Sequence, residues 1–115
     1  MDADRAQALA AMRLEETTEQ ELKRRIEMEI RKSMDRMAAK QQEVAVADAA
    51  VSFAREVVAR GRRRYNAGVT DSIEVTDAET QLANAEDDRV TALFDYANAR
   101  IDLAEAMGTI TQLSF

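Results

Sequence analysis

The residues that could carry chemistry in this sequence are carboxylates and guanidiniums, because the 115-residue chain contains neither histidine nor cysteine. General acid–base and nucleophilic catalysis rely heavily on those two side chains, and no glycine-rich phosphate-binding loop is present. Three consecutive acids, Glu86, Asp87 and Asp88, offer oxygen ligands for a metal ion. Consecutive helix positions point in different directions, which argues against a shared ion. The sequence therefore predicts a protein that is not an enzyme, with no metal site and no cofactor.

The charged residues are unevenly distributed along the chain. The formal net charge is −6, with a basic segment at residues 55–70 and a strongly acidic one at residues 71–115. An acidic chain is repelled by the phosphates of nucleic acid and by anionic membrane surfaces. No run of about 18 apolar residues is present. The N-terminus lacks the basic start and apolar stretch of a secretory signal. We therefore expect no nucleic-acid partner, no spanning helix and no visible export signal.

Apolar and small residues follow a seven-residue repeat over two long segments. Such a repeat keeps one seam of each helix facing a partner helix, and a row of alanines lets two helix backbones approach closely. In the first segment, about residues 3–66, the two rows are Ile30, Met37, Val44, Val51, Val58 and Tyr65, and Ser33, Lys40, Ala47, Ala54 and Gly61. In the second, about residues 73–107, they are Ala78, Ala85, Ala92, Ala99 and Ala106, and Val75, Leu82, Arg89, Tyr96 and Leu103.

The second segment carries two further stripes. A helix with a second apolar stripe expects more than one neighbour. This second apolar stripe consists of Val90, Leu93, Ala97, Ile101 and Ala104. A polar stripe without apolar members consists of Asn84, Asp88, Thr91, Asp95, Asn98, Asp102 and Glu105. The polar stripe is interpreted either as a solvated face or as the lining of a water-filled interior, and both interpretations keep its charges hydrated.

Stop and start signals for the two helices fall within a few residues of each other. Gly68 is suited to the left-handed conformation that ends a helix, and Val69 is placed to fold back on the last turn. Asp71 and Glu74 form the spacing of an N-cap and capping box. The arginines of the last turn are interpreted as capping and solvated residues: Arg60, Arg62, Arg63 and Arg64.

A tip at residues 67–72 between two helices implies that they run antiparallel. Gly108 is a plausible second helix end, followed by a short tail at residues 108–115. The predicted fold is all-α, a single domain consisting of one long antiparallel two-helix coiled-coil hairpin.

The run "YNAGVTDSIEVTDAETQLANAEDDRVTALFDYANARIDLAEAMGT" resembles the second helical hairpin of TolC-like outer-membrane efflux channels. The preceding "ELKRRIEMEIRKSM" is similar to the segment that leads the long helix of that family toward the periplasm, so the resemblance covers about residues 15–110. The ordered motif positions are Tyr65, Gly68, Glu74, Val75, Asp77, Ala78, Met107 and Gly108. Some members carry a basic residue two places after the glycine, where this chain has Thr70.

The resemblance implies that the hairpin is a fragment of a trimeric α-barrel, the periplasmic tunnel of an outer-membrane channel. Such channels serve drug efflux or type I secretion and meet a periplasmic adaptor protein bound to an inner-membrane pump. By position, the adaptor-facing residues would be Gly68, Val69, Thr70 and Asp71, and those of the channel entrance would be Tyr65, Glu74 and Asp77. The lumen-lining residues would be Asp88, Asp95 and Asp102.

The chain shows one hairpin where family members carry two, so it is interpreted as a C-terminal piece of such a channel. The alternative is a stand-alone coiled-coil interaction module or adaptor-type helical hairpin. The tip motif favours the channel, and the short length favours the alternative.

Overall fold

A computed structural model describes the backbone of residues 2–113 and the side chains of residues 2–108, and it contains two long α-helices. Helix α1 spans Asp2–Asn66 and helix α2 spans Ser72–Leu113. No strand occurs in the part of the chain that is described. The sequence is rich in strong helix formers such as alanine, glutamate and arginine, and it contains no proline that would interrupt them. The predicted all-α class is confirmed.

The chain divides into two units, of which residues 36–101 form the larger. In this unit the last part of α1 and the first part of α2 are connected by a tip at residues 67–71. Ion pairs join Arg62 to Glu79 and Asp48 to Arg89, so residues progressively farther from the tip face each other. This order of contacts is that of two antiparallel helices. Residues 36–101 are therefore a helical hairpin, as predicted.

The core of this hairpin is the predicted seam. Val51 and Ala99 are each only 3% exposed, and alanines from both helices are buried beside them. Of the seam positions within residues 36–101, all except Tyr65 and Arg89 are buried or half-buried. Arg89 donates from Nε to Asp48 Oδ1 at 2.5 Å, which explains a charged residue in an otherwise apolar row. Burial of small side chains at regular spacing is what allows the close approach of the two backbones.

The other unit contains residues 1–35 and 102–115. Within it Ile26 is buried, whereas Ile30, Ser33, Leu103 and Ala106 are half-buried. Residues 2–25 are exposed throughout, including Leu9, Met12 and Leu14. None of the helical stretches described is both long enough and apolar enough to cross a membrane.

The predicted end of the second helix, at about residue 107 with a tail at residues 108–115, differs from the structure. Helix α2 continues through Gly108 to Leu113. A glycine ends a helix by adopting a positive φ, and among the described residues only Gly68 does so. Gly108 keeps a helical backbone, and no proline follows it, so nothing local forces the chain out of the helix. Ser114 and Phe115 lie outside the described residues.

Gly61 is expected to be a position where a larger residue stabilises the hairpin. It is buried in α1, and a Cβ added there would lie 3.9 Å from Cα and Cγ2 of Val75, an ordinary van der Waals contact. Because glycine inside a helix is about 0.5–1 kcal/mol less favourable than alanine, Gly61→Ala should raise the free energy of unfolding by about that amount. Urea unfolding followed by circular dichroism measures the change.

The matched control is the same substitution at Gly68, whose φ is 74°. There a Cβ meets no atom within 4 Å, but the left-handed backbone conformation disfavours alanine, so Gly68→Ala should lower stability by about 1 kcal/mol. If the two alanine substitutions changed the free energy of unfolding in the same direction, the different backbone requirements assigned to Gly61 and Gly68 would be contradicted.

Candidate functional site: the hairpin tip and its flanks

The tip begins with a compact end to helix α1. The amide of Gly68 donates to the carbonyl of Tyr65 at 3.0 Å, and that of Val69 donates to the carbonyl of Arg64 at 2.9 Å. These two bonds, around a glycine at positive φ, form a Schellman motif that satisfies carbonyls left without helical partners. The predicted glycine stop is confirmed. The motif turns the chain away from α1 immediately after the basic last turn.

Helix α2 begins with Asp71 as its N-cap. The Oδ1 atom of Asp71 accepts hydrogen bonds from the amides of Ile73 at 3.1 Å and Glu74 at 3.4 Å. This half of the predicted capping box is confirmed, since these amides have no partner inside the helix.

The reciprocal half of the capping box is wrong. Instead of reaching the amide of Asp71, Glu74 accepts a hydrogen bond from the Thr70 hydroxyl through Oε2. Its Oε1 atom lies 3.5 Å from Arg64 Nε. A cation and a hydroxyl within reach compete with the backbone amide for the carboxylate, and a charged donor makes the stronger bond. Glu74 therefore connects the end of α1, the tip and the start of α2.

Two of the four arginines near the end of α1 form ion pairs with α2. Arg64 pairs with Glu74, and Arg62 Nη2 lies 2.9 Å from Glu79 Oε1. The interpretation of this cluster as capping and solvated residues only is therefore incomplete. Exposed pairs each contribute little stability, about 0–1 kcal/mol, and the two pairs formed here fit the register that the packed seam sets. A signal for them existed in the sequence, because the oppositely charged partners lie at similar distances on either side of residues 69–70.

The predicted adaptor-facing residues lie at an exposed end of the hairpin. Val69 is 66% exposed, and Gly68 leaves open space where a side chain would be. Thr70 is half-buried and Asp71 is exposed. An exposed valine beside a glycine is an apolar surface of small size. Its geometry is suited to contact with another protein.

The predicted entrance residues do not all lie together. Glu74 and Asp77 border one shallow depression, together with Thr70 and Asp71. Tyr65 does not line it and is 49% exposed at the end of α1. The structure thus groups the carboxylates of the tip on one side of the hairpin and leaves the tyrosine apart from them. Within the described residues, no group of side chains is arranged to hold a metal ion.

The polar stripe of α2 lies beside α1 in the larger unit. Asp88 and Asp95 border a groove together with Glu43 and Val46 of α1. Asp102 belongs to the other unit. The second apolar stripe is exposed at each of its members in residues 36–101, which are Val90, Leu93, Ala97 and Ile101. In the hairpin of residues 36–101, the second apolar stripe is therefore exposed to solvent.

Comparison with known protein families gives a match over most of the chain. A family model described as "Outer membrane efflux protein" matches residues 1–109. No curated protein and no solved structure matches the chain. The family match covers helix α1, the tip and helix α2 up to residue 109, including every residue of the candidate site. The chain therefore belongs to the outer membrane efflux protein family, whose members are components of outer-membrane efflux channels and act in transport rather than as enzymes.

Proposed function

We propose that this chain is a segment of the periplasmic helical tunnel of a tripartite efflux system, and that its tip contacts the periplasmic adaptor protein. The adaptor in turn connects the channel to an inner-membrane pump. The observation that carries this proposal is the tip itself, where a tight Schellman turn presents an exposed valine. Because this turn already has a defined shape at the end of two packed helices, it loses little conformational entropy when it binds a partner protein.

The adaptor contact is assigned to Gly68, Val69, Thr70 and Asp71. Glycine brings the backbone close to a partner, and Val69 supplies the apolar contact. The hydroxyl of Thr70 donates a hydrogen bond to Glu74, and Asp71 accepts hydrogen bonds from the amides that it caps. The polar part of the tip is therefore already ordered. A preorganised surface of this kind favours recognition by shape.

The channel entrance is assigned to Tyr65, Glu74 and Asp77. Carboxylates that share one side of the tip place negative charge where the tunnel would narrow. Rings of acidic side chains favour the passage of cations through a pore. In this role Glu74 also holds the tip, because it bonds to Thr70 and pairs with Arg64.

The tunnel is assigned to a homotrimer in which the polar stripe, with Asp88, Asp95 and Asp102, faces the lumen. The second apolar stripe would then pack against a neighbouring hairpin. The exposure of Val90 and Leu93 in the single hairpin supports this arrangement. Removing such apolar side chains from water lowers the free energy, so an exposed apolar stripe favours contact with another hairpin. A ring of hairpins buries this stripe and leaves the polar stripe hydrated.

Photo-crosslinking within an intact channel tests the adaptor contact. The hairpin of residues 36–101 is placed in a full-length channel of the family, with a photo-reactive amino acid at Val69 or at Glu86, an exposed position of α2 away from the tip. We expect a crosslink to the adaptor from position 69 and none from position 86. Crosslinking from position 86 with none from position 69 would overturn the assignment, and equal yields at both would also contradict it.

A further inference from the structure

The polar stripe of α2 continues to the tip of the hairpin. Glu74, Asp77 and Gln81 precede Asn84 and Asp88 in the same steps of three and four residues. Residues at these steps share one side of a helix. The two carboxylates assigned to the channel entrance therefore form the tip end of the stripe that is assigned to the lumen.

Arg64 of α1 lies on the same side of the hairpin as these carboxylates. It follows Val57 by seven residues, so the two share one side of α1, and Val57 borders the depression that Glu74 also borders. The Nε atom of Arg64 lies 3.5 Å from Oε1 of Glu74. A guanidinium from the end of α1 is thus placed beside one carboxylate of the entrance.

The two entrance carboxylates differ in their partners. Both oxygens of Glu74 are engaged within the tip, Oε1 by Arg64 and Oε2 by the hydroxyl of Thr70. Asp77 is exposed, and among residues 2–108 its carboxylate has neither a hydrogen-bond donor nor a cation as partner. A cation beside a carboxylate offsets its charge, whereas an unpaired carboxylate keeps its full charge.

We propose that Arg64 neutralises Glu74 at the entrance, so that Asp77 carries the net negative charge by which the tip discriminates between ions. This inference rests on the proposed function, because it requires Glu74 and Asp77 to face the passage. The fields of two opposite charges cancel beyond the pair, so Glu74 holds Thr70 without adding to the net charge that an ion meets. Arg64 is then a specificity-determining residue that weakens the cation preference of the entrance.

The ion selectivity of an intact channel tests this role. The hairpin of residues 36–101 is placed in a full-length channel of the family, and the permeability ratio of potassium to chloride is obtained from reversal potentials in a planar lipid bilayer. Low salt is used because exposed charges are screened. Asp77→Asn should lower the ratio about threefold or more, and Arg64→Gln should raise it about twofold or more, because Glu74 is then uncompensated.

Two double variants separate pairing from total charge. Arg64→Gln with Glu74→Gln removes the whole pair and should leave the ratio within about 1.5-fold of that of the unaltered channel. The matched control is Arg63→Gln with Glu74→Gln, which leaves the same total charge but keeps Arg64 without its partner. Arg63 is exposed and has no ion pair within residues 2–108. The control should lower the ratio about twofold or more.

Equal ratios in the two double variants would overturn the inference, because only the total charge of the tip would then matter. An unchanged or lower ratio for Arg64→Gln would overturn it as well. In both cases a lower ratio for Asp77→Asn would leave the entrance assignment of the proposed function intact. An unaltered channel without cation preference, or a ratio that none of the substitutions changes, would refute the entrance assignment and the inference together.

Discussion

Val51→Asp is expected to unfold the hairpin of residues 36–101. Val51 is 3% exposed at the seam, so an aspartate there would lose its hydration, and Arg89, the charged member of the seam, is already paired with Asp48. A buried, uncompensated charge costs about 3 kcal/mol or more, which is comparable with the whole stability of a small domain. The expected result is a large loss of helical circular dichroism at 25 °C and neutral pH.

The control for this prediction is Val46→Asp, the same change five residues earlier in α1. Because Val46 is 61% exposed, its aspartate stays hydrated, and the free energy of unfolding should change by less than about 0.5 kcal/mol. Urea titration of both variants compares them directly. If the two substitutions destabilised the chain equally, the seam would not be the core of the fold.

Gly68→Val is expected to abolish most export when it is made in a full-length channel that carries this hairpin. Gly68 has a φ of 74°, and a β-branched residue in that region is strained by about 1–3 kcal/mol. No atom lies within 4 Å of the position of the new Cβ, so the effect arises from the backbone and not from a clash. The chain would relieve the strain by opening the Schellman turn, and the adaptor would lose the surface assigned to it.

Export of a fluorescent dye from cells that lack their own channel measures this effect. Ala67→Val is the control, since it adds the same side chain one residue earlier, at an exposed position without positive φ. We expect near-normal export for Ala67→Val and a loss of about tenfold or more for Gly68→Val, provided that both channels reach the membrane at equal amounts. Normal export by the Gly68 variant would refute the assignment of the tip as the adaptor contact.

The hairpin was predictable because the information for it is local and repeated. Val51, Val58 and Ala99 belong to rows spaced by seven residues, and such spacing places them on one side of a helix whatever the helix packs against. Gly68 and Asp71 were predictable for a similar reason, because one residue adopts positive φ cheaply and the other caps nearby amides. These are properties of a few neighbouring residues.

The electrostatic contacts at the tip were less predictable from the sequence. Glu74 has several donors within reach, and its choice of Thr70 and Arg64 over the amide of Asp71 depends on how the two helices are placed. Arg89 interrupts an apolar row in the sequence, and only its position opposite Asp48 gives it a partner. The continuation of α2 past Gly108 was missed because a glycine permits a helix end without requiring one.

The amino-acid sequence was sufficient to predict that this protein is helical, that its helices pair along one seam, and that the chain reverses at Gly68. Periodicity and backbone preference act over short distances along the chain, so they can be read from neighbouring residues. The sequence also matches the outer membrane efflux protein family over residues 1–109. The tertiary structure was needed to show which charges meet, and that Asp88 and Asp95 border a groove together with Val46. Those facts depend on the register and spacing of two helices, and residues distant in the sequence become neighbours only when that register is set.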